Sequence, residues 1–193
     1  MDADFSIDLG LEDPILDFPW SDPSGRLAYV DLKRHPELIV QIEEAAKFPE
    51  LGEFLEVLNS APSIVETAKC DAWATTDLSA EEDIYEASHK LSSYVDVVFS
   101  ETNARLSLAT YEQFARKLVG ILRCAPEAPS AAELCILRCY FQEDDDSDIR
   151  EGFYFTLYVS GYGTDGGSAR RHWAAALKWT ANALIQLSTG DAA

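Results

Sequence analysis

The chain has 193 residues, of which 47% are hydrophobic and 25% are charged. This composition is typical of a folded globular protein and excludes a wholly disordered chain. The 34 acidic residues outnumber the 15 lysines and arginines, which gives a net charge of −19. Such a charge repels phosphate backbones and anionic lipids, so we expect no direct binding to nucleic acid or membranes. It favours a basic protein partner or a divalent cation.

The start of the chain and the cysteines predict a soluble, cytoplasmic protein. The N-terminus lacks the basic start and apolar run of a signal peptide. No stretch approaches the ~18 apolar residues that span a bilayer. The cysteines form no C-x-x-C pair, so we expect reduced thiols and neither a metal site nor a cofactor. The four cysteines are Cys70, Cys124, Cys135 and Cys139.

The first 25 residues are acidic and contain three prolines, yet they include apolar side chains such as Phe18 and Trp20. A purely disordered segment would be poorer in such residues. We therefore expect residues 1–25 to form an acidic arm that is partly ordered. Residues 26–190 would form a single α+β domain.

The next segment predicts one short strand and two helices. Apolar and polar side chains alternate in Arg26–Leu32, which predicts a short strand. Pro36 opens a predicted helix that continues to about Lys47, because proline is tolerated in a first helical turn. Apolar residues at three-and-four spacing predict a second helix over 51–58.

Two predicted strands follow, separated by a short helix. Ile64–Thr76 places large side chains on one face and small ones on the other, as a strand does. A capping-box pattern predicts a short helix over 80–87. Residues 88–100 would also suit a helix, but the β-branched and aromatic residues of Ser93–Phe99 favour a strand.

The second half of the chain begins with a helix and two strands. A capping-box pattern at Thr110 predicts the start of a helix that ends before Pro126. The nearly continuous apolar run Glu133–Phe141 is typical of a central strand. An acidic turn is expected over 143–149. The regular alternation in Gly152–Tyr162 gives the clearest strand prediction in the chain.

A long final helix completes a repeated order of elements. Ser168 is the predicted cap of this helix, which continues to about Ser188. From residue 64 onward the predicted order is ββα-ββα, after an N-terminal helical pair. Short connections join antiparallel strands. We therefore predict an α+β fold with an antiparallel sheet of four to five strands and helices packed mainly on one face.

The segment before the last helix contains a G-x-G-x-x-G pattern. Such glycines allow backbone N–H groups to approach a phosphate at a helix N-terminus. The chain ends one helix later, so a dinucleotide fold is not expected, and binding of some other anion stays open as an alternative. A flexible connection explains the glycines equally well, and an ion pair explains the arginines. The candidate ligand-binding residues are Gly161, Gly163, Gly166, Gly167, Ser168, Arg170, Arg171 and His172.

Three tyrosines share one face of the clearest strand: Tyr154, Tyr158 and Tyr162. Tyrosine is favoured in protein interfaces because it is large, rigid and amphipathic, so these residues are candidates for partner binding. Burial under the acidic arm is the alternative, with Trp20 as a cover.

Two other patterns give no site. Asp144, Asp146 and Asp148 alternate like the start of a calcium loop, but Ile149 and Phe155 stand where an EF-hand needs glycine and glutamate. No catalytic motif is found, so no catalytic residue is predicted and we do not expect an enzyme.

The element order over residues 36–188 and the acidity resemble the small secretion chaperones of type III systems. This resemblance implies a homodimer that holds a segment of a partner. The sequence thus predicts a non-enzymatic protein-binding module of the chaperone, adaptor or immunity type. Two alternatives stay open: a small enzyme or sensor that binds an anionic ligand at the Gly161–Ser168 loop, and an acidic mimic of nucleic acid.

Overall fold

The computed structural model describes residues 1–142 and 149–190, which form six strands and five α-helices. The strands are β1 (Asp2–Ile7), β2 (Ile15–Phe18), β3 (Val65–Thr75), β4 (His89–Phe99), β5 (Ser130–Gln142) and β6 (Ile149–Gly163). The helices are α1 (Glu43–Lys47), α2 (Pro49–Leu58), α3 (Thr102–Arg105), α4 (Leu108–Leu122) and α5 (Gly166–Gly190). Two 3-10 helices span Pro36–Gln41 and Ala80–Tyr85. No helix within the described ranges is long and apolar enough to cross a membrane.

The strands form one mixed sheet in the order β1-β5-β6-β4-β3, with β2 also beside β5. The α+β class is confirmed, but the purely antiparallel sheet of four to five strands is wrong. The neighbours β3, β4, β6 and β5 are antiparallel, whereas β1 and β2 both run parallel to β5. The acidic first segment of the chain supplies these two short strands, and its alternating apolar residues complete the edge of the sheet.

Two of the predicted N-terminal elements differ in the structure. Arg26–Leu32 is not a strand, and only an isolated bridge between Ser21 and Ala28 forms there. The helix predicted from Pro36 to Lys47 is interrupted at Ile42, whose ψ of 108° is extended. A 3-10 helix precedes this residue and α1 follows it. The ambiguous stretch 88–100 is a strand, as predicted, and the predicted acidic turn falls mostly on 143–148, outside the described residues.

The caps of the two long helices lie three residues earlier than predicted. Ser107 caps α4, and its hydroxyl accepts a hydrogen bond from the Thr110 N–H at 3.3 Å. Asp165 caps α5, and its carboxylate accepts from the Ser168 N–H at 2.8 Å. Ser168 Oγ accepts in return from the Asp165 N–H at 3.2 Å. Thr110 and Ser168 are therefore the inner partners of each cap rather than the caps.

Helices α2, α4 and α5 cover one face of the sheet and form the main core. Trp173 of α5 is fully buried there against strand residues such as Phe155 and Leu157. The Trp173 indole N–H donates to Ser93 Oγ at 3.0 Å, which satisfies its only donor inside the core. Within the described ranges, the only α-helix against the opposite face of the sheet is the four-residue α3, which lies at one end of it. We call this opposite face the bare face.

A largely buried ion pair holds the N-terminal segment against the bare face. Arg105 donates to Glu66, and its Nε donates to the Phe99 carbonyl at 2.6 Å. The guanidinium also lies 5.2 Å from the ring centroids of both Phe18 and Phe141. Burial raises the pKa of Glu66, and Arg105 acts against this rise. The planar guanidinium thus joins β2, β3 and β5 through several simultaneous contacts.

Arg105→Lys should lower the free energy of unfolding by about 1–2 kcal/mol, because an ammonium cannot make these contacts at once. Urea denaturation at pH 7 measures the loss. Arg116→Lys is the matched control, since Arg116 pairs with Glu112 on the exposed surface of α4, and should change stability by less than about 0.5 kcal/mol. Equal losses in the two variants would contradict the assigned role of Arg105.

Candidate functional site

The centre of the bare face carries aromatic and charged side chains from adjacent strands. Alternation along β3, β4, β6 and β5 places them on this side, and the register brings them into one row. Asp71 lies opposite Tyr94, Tyr94 lies opposite Tyr158, and Tyr158 lies opposite Glu133. We call this set of side chains the open patch. Its members are Lys69, Asp71, Trp73, Tyr94, Asp96, Glu133 and Tyr158.

One end of the bare face lies beneath the N-terminal segment. Tyr154 is 4% exposed there and packs in a cluster that includes Phe18 and Phe141. Trp20 joins this cluster, and its indole N–H donates to the Ala68 carbonyl at 2.6 Å. The predicted cover by Trp20 therefore lies at this end of the face.

The other end of the bare face lies beneath the 3-10 helix Ala80–Tyr85. The ring of Tyr85 stacks on Tyr162 at a centroid distance of 4.1 Å. Tyr162 donates its hydroxyl hydrogen to Glu82 at 2.8 Å, and Lys90 donates to the same oxygen at 2.5 Å. Partial burial opposes ionisation of Glu82, but the hydrogen bonds from Lys90, the Ser79 N–H and Tyr162 lower its pKa to about 2. An ionised Glu82 thus anchors this second cover.

Three aromatic rings lie in a row between the two covers. Trp73 and Tyr94 have centroids 6.4 Å apart, and Tyr94 and Tyr158 have centroids 6.2 Å apart. Trp73 is 38% exposed and Tyr158 is 39% exposed. Rings that touch one another across strands while facing solvent are pre-ordered, so a partner that packs on them immobilises few additional side chains.

Asp96 lies next to this row and is only 7% exposed. Its Oδ1 accepts a hydrogen bond from Thr156 Oγ1 at 2.7 Å. Lys69 is its register partner on β3, but the Lys69 ammonium lies over the Trp20 ring at 5.2 Å. Within the described part of the chain no basic group lies within 4 Å of the Asp96 carboxylate.

Burial raises the pKa of Asp96 to about 6, against the opposing effects of the Thr156 hydrogen bond and the Lys69 charge. A carboxylate that is buried without a counter-ion costs folding free energy at neutral pH. Perturbed groups of this kind cluster at functional positions. The open patch therefore combines exposed aromatic rings with an acid whose burial lowers the stability of the fold.

The structure separates the three tyrosines predicted for partner binding. All three lie on the bare face, but Tyr154 and Tyr162 are beneath the two covers and only Tyr158 is exposed. Sequence reasoning missed the other members of the patch around Tyr158, namely Trp73, Tyr94 and Asp96. The alternation in β3 showed that Trp73 shares a face with Asp71, but not which strand lies beside it.

The first two glycines of the G-x-G-x-x-G pattern allow α5 to pack closely on β6. A Cβ on Gly161 would lie 2.5 Å from the Ala169 carbonyl oxygen and would also meet the main chain of Trp173. A Cβ on Gly163 would lie 2.5 Å from the Ala169 nitrogen. Both glycines thus have a packing reason that involves no ligand.

Protein groups partner three other residues of the predicted anion site, Ser168, Arg170 and His172, whereas its remaining residues are exposed. The Asp165 carboxylate caps the N-terminus of α5, and hydrogen bonds from Ser168 keep its pKa below the ordinary value. Arg170 donates two hydrogen bonds of 2.8 Å to Glu50. His172 Nδ1 lies 2.5 Å from the Tyr162 carbonyl oxygen, to which it donates. Gly166 and Gly167 lie at the exposed start of the helix, and Arg171 is exposed beside them.

A separate groove of about 440 Å³ lies between α2 and α5 on the helical side. Phe54, Val57 and Leu177 form its apolar floor, and Glu53 and Lys178 lie at its rim. None of its described lining residues is a buried titratable group, so it has fewer signs of specific chemistry than the open patch.

Comparison with protein families, curated proteins and solved structures gives no match to this chain. Among the residues placed by the structure, no group of three or more His, Cys, Asp or Glu side chains is arranged to hold a metal ion. The geometry of the open patch and the loop before α5 is therefore the basis for assigning a function.

Proposed function

We propose that the chain is a non-enzymatic protein-binding module that takes a basic partner on the open patch. The observation that carries the proposal is the row of aromatic rings from Trp73 to Tyr158, with an exposed ring at each end, beside the buried carboxylate of Asp96. The four cysteines are free thiols, which supports a cytoplasmic setting. The homodimer implied by the resemblance to secretion chaperones stays a prediction.

The chemistry of the patch favours lysine and arginine side chains. Cations bind the faces of Tyr and Trp rings with about 0.5–2 kcal/mol each, and the gain is larger where water is excluded. Asp71, Asp96 and Glu133 supply negative charge around the rings. The net charge of −19 would steer a basic partner toward the surface and would repel phosphate-bearing ligands.

The Trp73→Ala/Tyr158→Ala double variant should reduce affinity for the partner about tenfold or more, because exposed aromatic anchors carry much of the energy of an interface. Affinity capture from the native host with mass spectrometry identifies the partner, and titration of the purified partner measures the change. The Leu27→Ala/Val40→Ala variant is the control, since it removes exposed apolar side chains outside the patch.

Equal affinity of the two double variants would exclude the open patch. Capture of no partner, together with thermal stabilisation by inorganic phosphate or a nucleotide, would favour the alternative of an anion sensor at the Gly161–Ser168 loop. Under our proposal, neither compound shifts the melting temperature measurably.

A further inference from the structure

Asp96 has one carboxylate oxygen without a partner among the described residues. Its Oδ1 accepts the hydrogen bond from Thr156, whereas no described group donates to its Oδ2. Thr180 Oγ1 is the only side-chain oxygen or nitrogen of the described ranges that is fully buried and lacks a hydrogen bond. Asp96 Oδ2 therefore reaches solvent, although the residue as a whole is only 7% exposed. The bare face thus presents one strong acceptor through a small opening.

Two tyrosines of the open patch lie beside this acceptor. Tyr94 is two residues from Asp96 on β4, so both side chains project from the same face. Tyr158 is two residues from Thr156, the register partner of Asp96, and is therefore its diagonal neighbour across the strands. Burial raises the pKa of both tyrosines, and the charge of Asp96 is the next largest cause. A group that reaches the Asp96 carboxylate from solvent therefore passes the two rings.

One covered end of the bare face already holds a lysine between a tyrosine ring and a carboxylate. Lys90 Nζ lies 5.5 Å from the ring centroid of Tyr162 and donates to Glu82 at 2.5 Å. Tyr162 and Tyr158 lie on the same face of β6. Tyr158 and Asp96 offer the same two chemical groups in the open patch, where a partner can reach them.

The single accessible oxygen favours lysine over arginine. A guanidinium binds a carboxylate best through two parallel hydrogen bonds, one to each oxygen. Because Thr156 already donates to Oδ1 of Asp96, Oδ2 remains for an incoming group. Arg105 illustrates the greater demand of a guanidinium, since it donates to both Glu66 and the Phe99 carbonyl. A compact ammonium needs one acceptor and fits a smaller opening.

We propose that Tyr94, Asp96 and Tyr158 form a subsite that binds the ammonium of one lysine of the partner in preference to arginine. The proposal rests on the function proposed above and specifies the group that the open patch recognises. The ammonium donates to Asp96 Oδ2, and the methylene stem of the lysine lies across the rings. The net charge of −19 complements such a ligand.

Lys69 is the lysine of the open patch itself, and its ammonium lies elsewhere. Lys69 is the register partner of Asp96 on β3, but its Nζ lies over the Trp20 ring, 5.2 Å from the centroid. The contact with Trp20 thus leaves Asp96 Oδ2 to a lysine of the partner.

Nuclear magnetic resonance titration of the isotope-labelled protein with Nα-acetyl-lysine methylamide tests the subsite. The amide signals of Tyr94, Asp96 and Tyr158 should shift in a saturable way, with a dissociation constant on the order of 10 mM for one ion pair and its ring contacts. The arginine analogue should bind about fivefold more weakly, because its fork finds one oxygen instead of two. The norleucine analogue, which lacks the ammonium, should cause no saturable shift.

The Nε-trimethyl analogue of the same ligand separates the carboxylate from the rings. It keeps the positive charge and the ring contacts but has no N–H to donate to Asp96 Oδ2. We expect it to bind about fivefold more weakly than lysine, because the charge-assisted hydrogen bond is lost. Equal or tighter binding of the trimethyl analogue would overturn the role of Asp96 in the subsite.

Three variants test the assignment from the protein side. Asp96→Asn should weaken lysine binding about tenfold, whereas Asp77→Asn, at an exposed position outside the patch, should change it less than about twofold. Each removes one negative charge, so general attraction by the acidic surface would affect both equally. Lys69→Met should change the affinity less than about threefold. A tenfold gain in Lys69→Met would show that Lys69 itself occupies Asp96 and would overturn the subsite.

The remaining outcomes separate the subsite from the function proposed above. No shift of the three amide signals at about 50 mM lysine analogue would overturn the subsite, and the capture experiment then decides the open patch alone. Tighter binding of the arginine analogue would overturn the preference for lysine. If Trp73→Ala/Tyr158→Ala loses the captured partner while Asp96→Asn retains it, the open patch stands and the subsite is wrong.

Discussion

Gly161→Ala should lower the free energy of unfolding by about 3 kcal/mol or more, which for a domain of this size is a large part of its stability. The added Cβ would lie 2.5 Å from the Ala169 carbonyl oxygen and would overlap the main chain of Trp173. Main-chain atoms of the first turns of α5 cannot rotate away as a flexible side chain can. The helix would have to lift from β6 and take the buried Trp173 ring with it.

Gly166→Ala is the matched control in the same glycine pattern. An added Cβ there meets nothing within 4 Å, and Gly166 is the first residue of α5. Because alanine is the better helix former, the control should be neutral or more stable by up to about 1 kcal/mol. Urea or thermal denaturation of the three proteins measures both changes.

This pair of variants also distinguishes the two interpretations of the glycine pattern. If the glycines serve close packing, stability depends on Gly161 and no phosphate affinity is lost at Gly166. If the loop binds an anion, Gly166→Ala should weaken phosphate binding. A stable Gly161→Ala protein would therefore contradict the packing role assigned to this residue.

Local patterns predicted the strands and helices whose signal lies within one element. The alternation in β6 and the apolar stripe of α5 are visible without knowing their neighbours. The parallel strand β1 is different, because its partner Ala131–Ile136 lies more than a hundred residues away. No local feature of an acidic, proline-containing segment encodes that pairing, so the sequence predicted an arm where the chain completes the sheet.

The same distinction applies to the open patch. Tyr158 could be identified from the alternation of its own strand. Its contact with Tyr94 depends on β4 lying beside β6, and that neighbour relation is a property of the whole sheet. Asp96 lies in the apolar run Ser93–Phe99, where one acid gives no sign of its burial. Cross-strand sites of this kind depend on the order of strands in the sheet, and local patterns in a single sequence do not specify that order.

Asp96→Asn should raise the stability of the protein at pH 7, by up to about 3 kcal/mol. The folded-state pKa of about 6 lies above the ordinary value for aspartate, because the buried carboxylate resists ionisation. Folding therefore takes up a proton, and the stabilisation that protonation gives is complete below pH 4 and is lost as the pH rises through 6. Asparagine keeps the acceptor for the Thr156 hydroxyl and carries no charge.

The stability difference between Asp96→Asn and the parent should accordingly be near zero at pH 4 and should grow to its full size by pH 7. Urea denaturation across this range measures it. Asp77→Asn, at an exposed position outside the open patch, is the control and should change stability by less than about 0.5 kcal/mol at each pH. A destabilised Asp96→Asn protein at pH 7 would show that the carboxylate has a counter-ion in the folded state.

The same substitution should weaken binding of the basic partner about tenfold at pH 7, since it removes the buried charge beside the aromatic row. Binding to the parent protein should fade as the pH drops below 6, whereas binding to Asp96→Asn should vary little there. A residue retained for structure alone would change stability and affinity in the same direction. Opposite changes, with a gain in one and a loss in the other, would identify Asp96 as a group that the fold tolerates because the interface uses it.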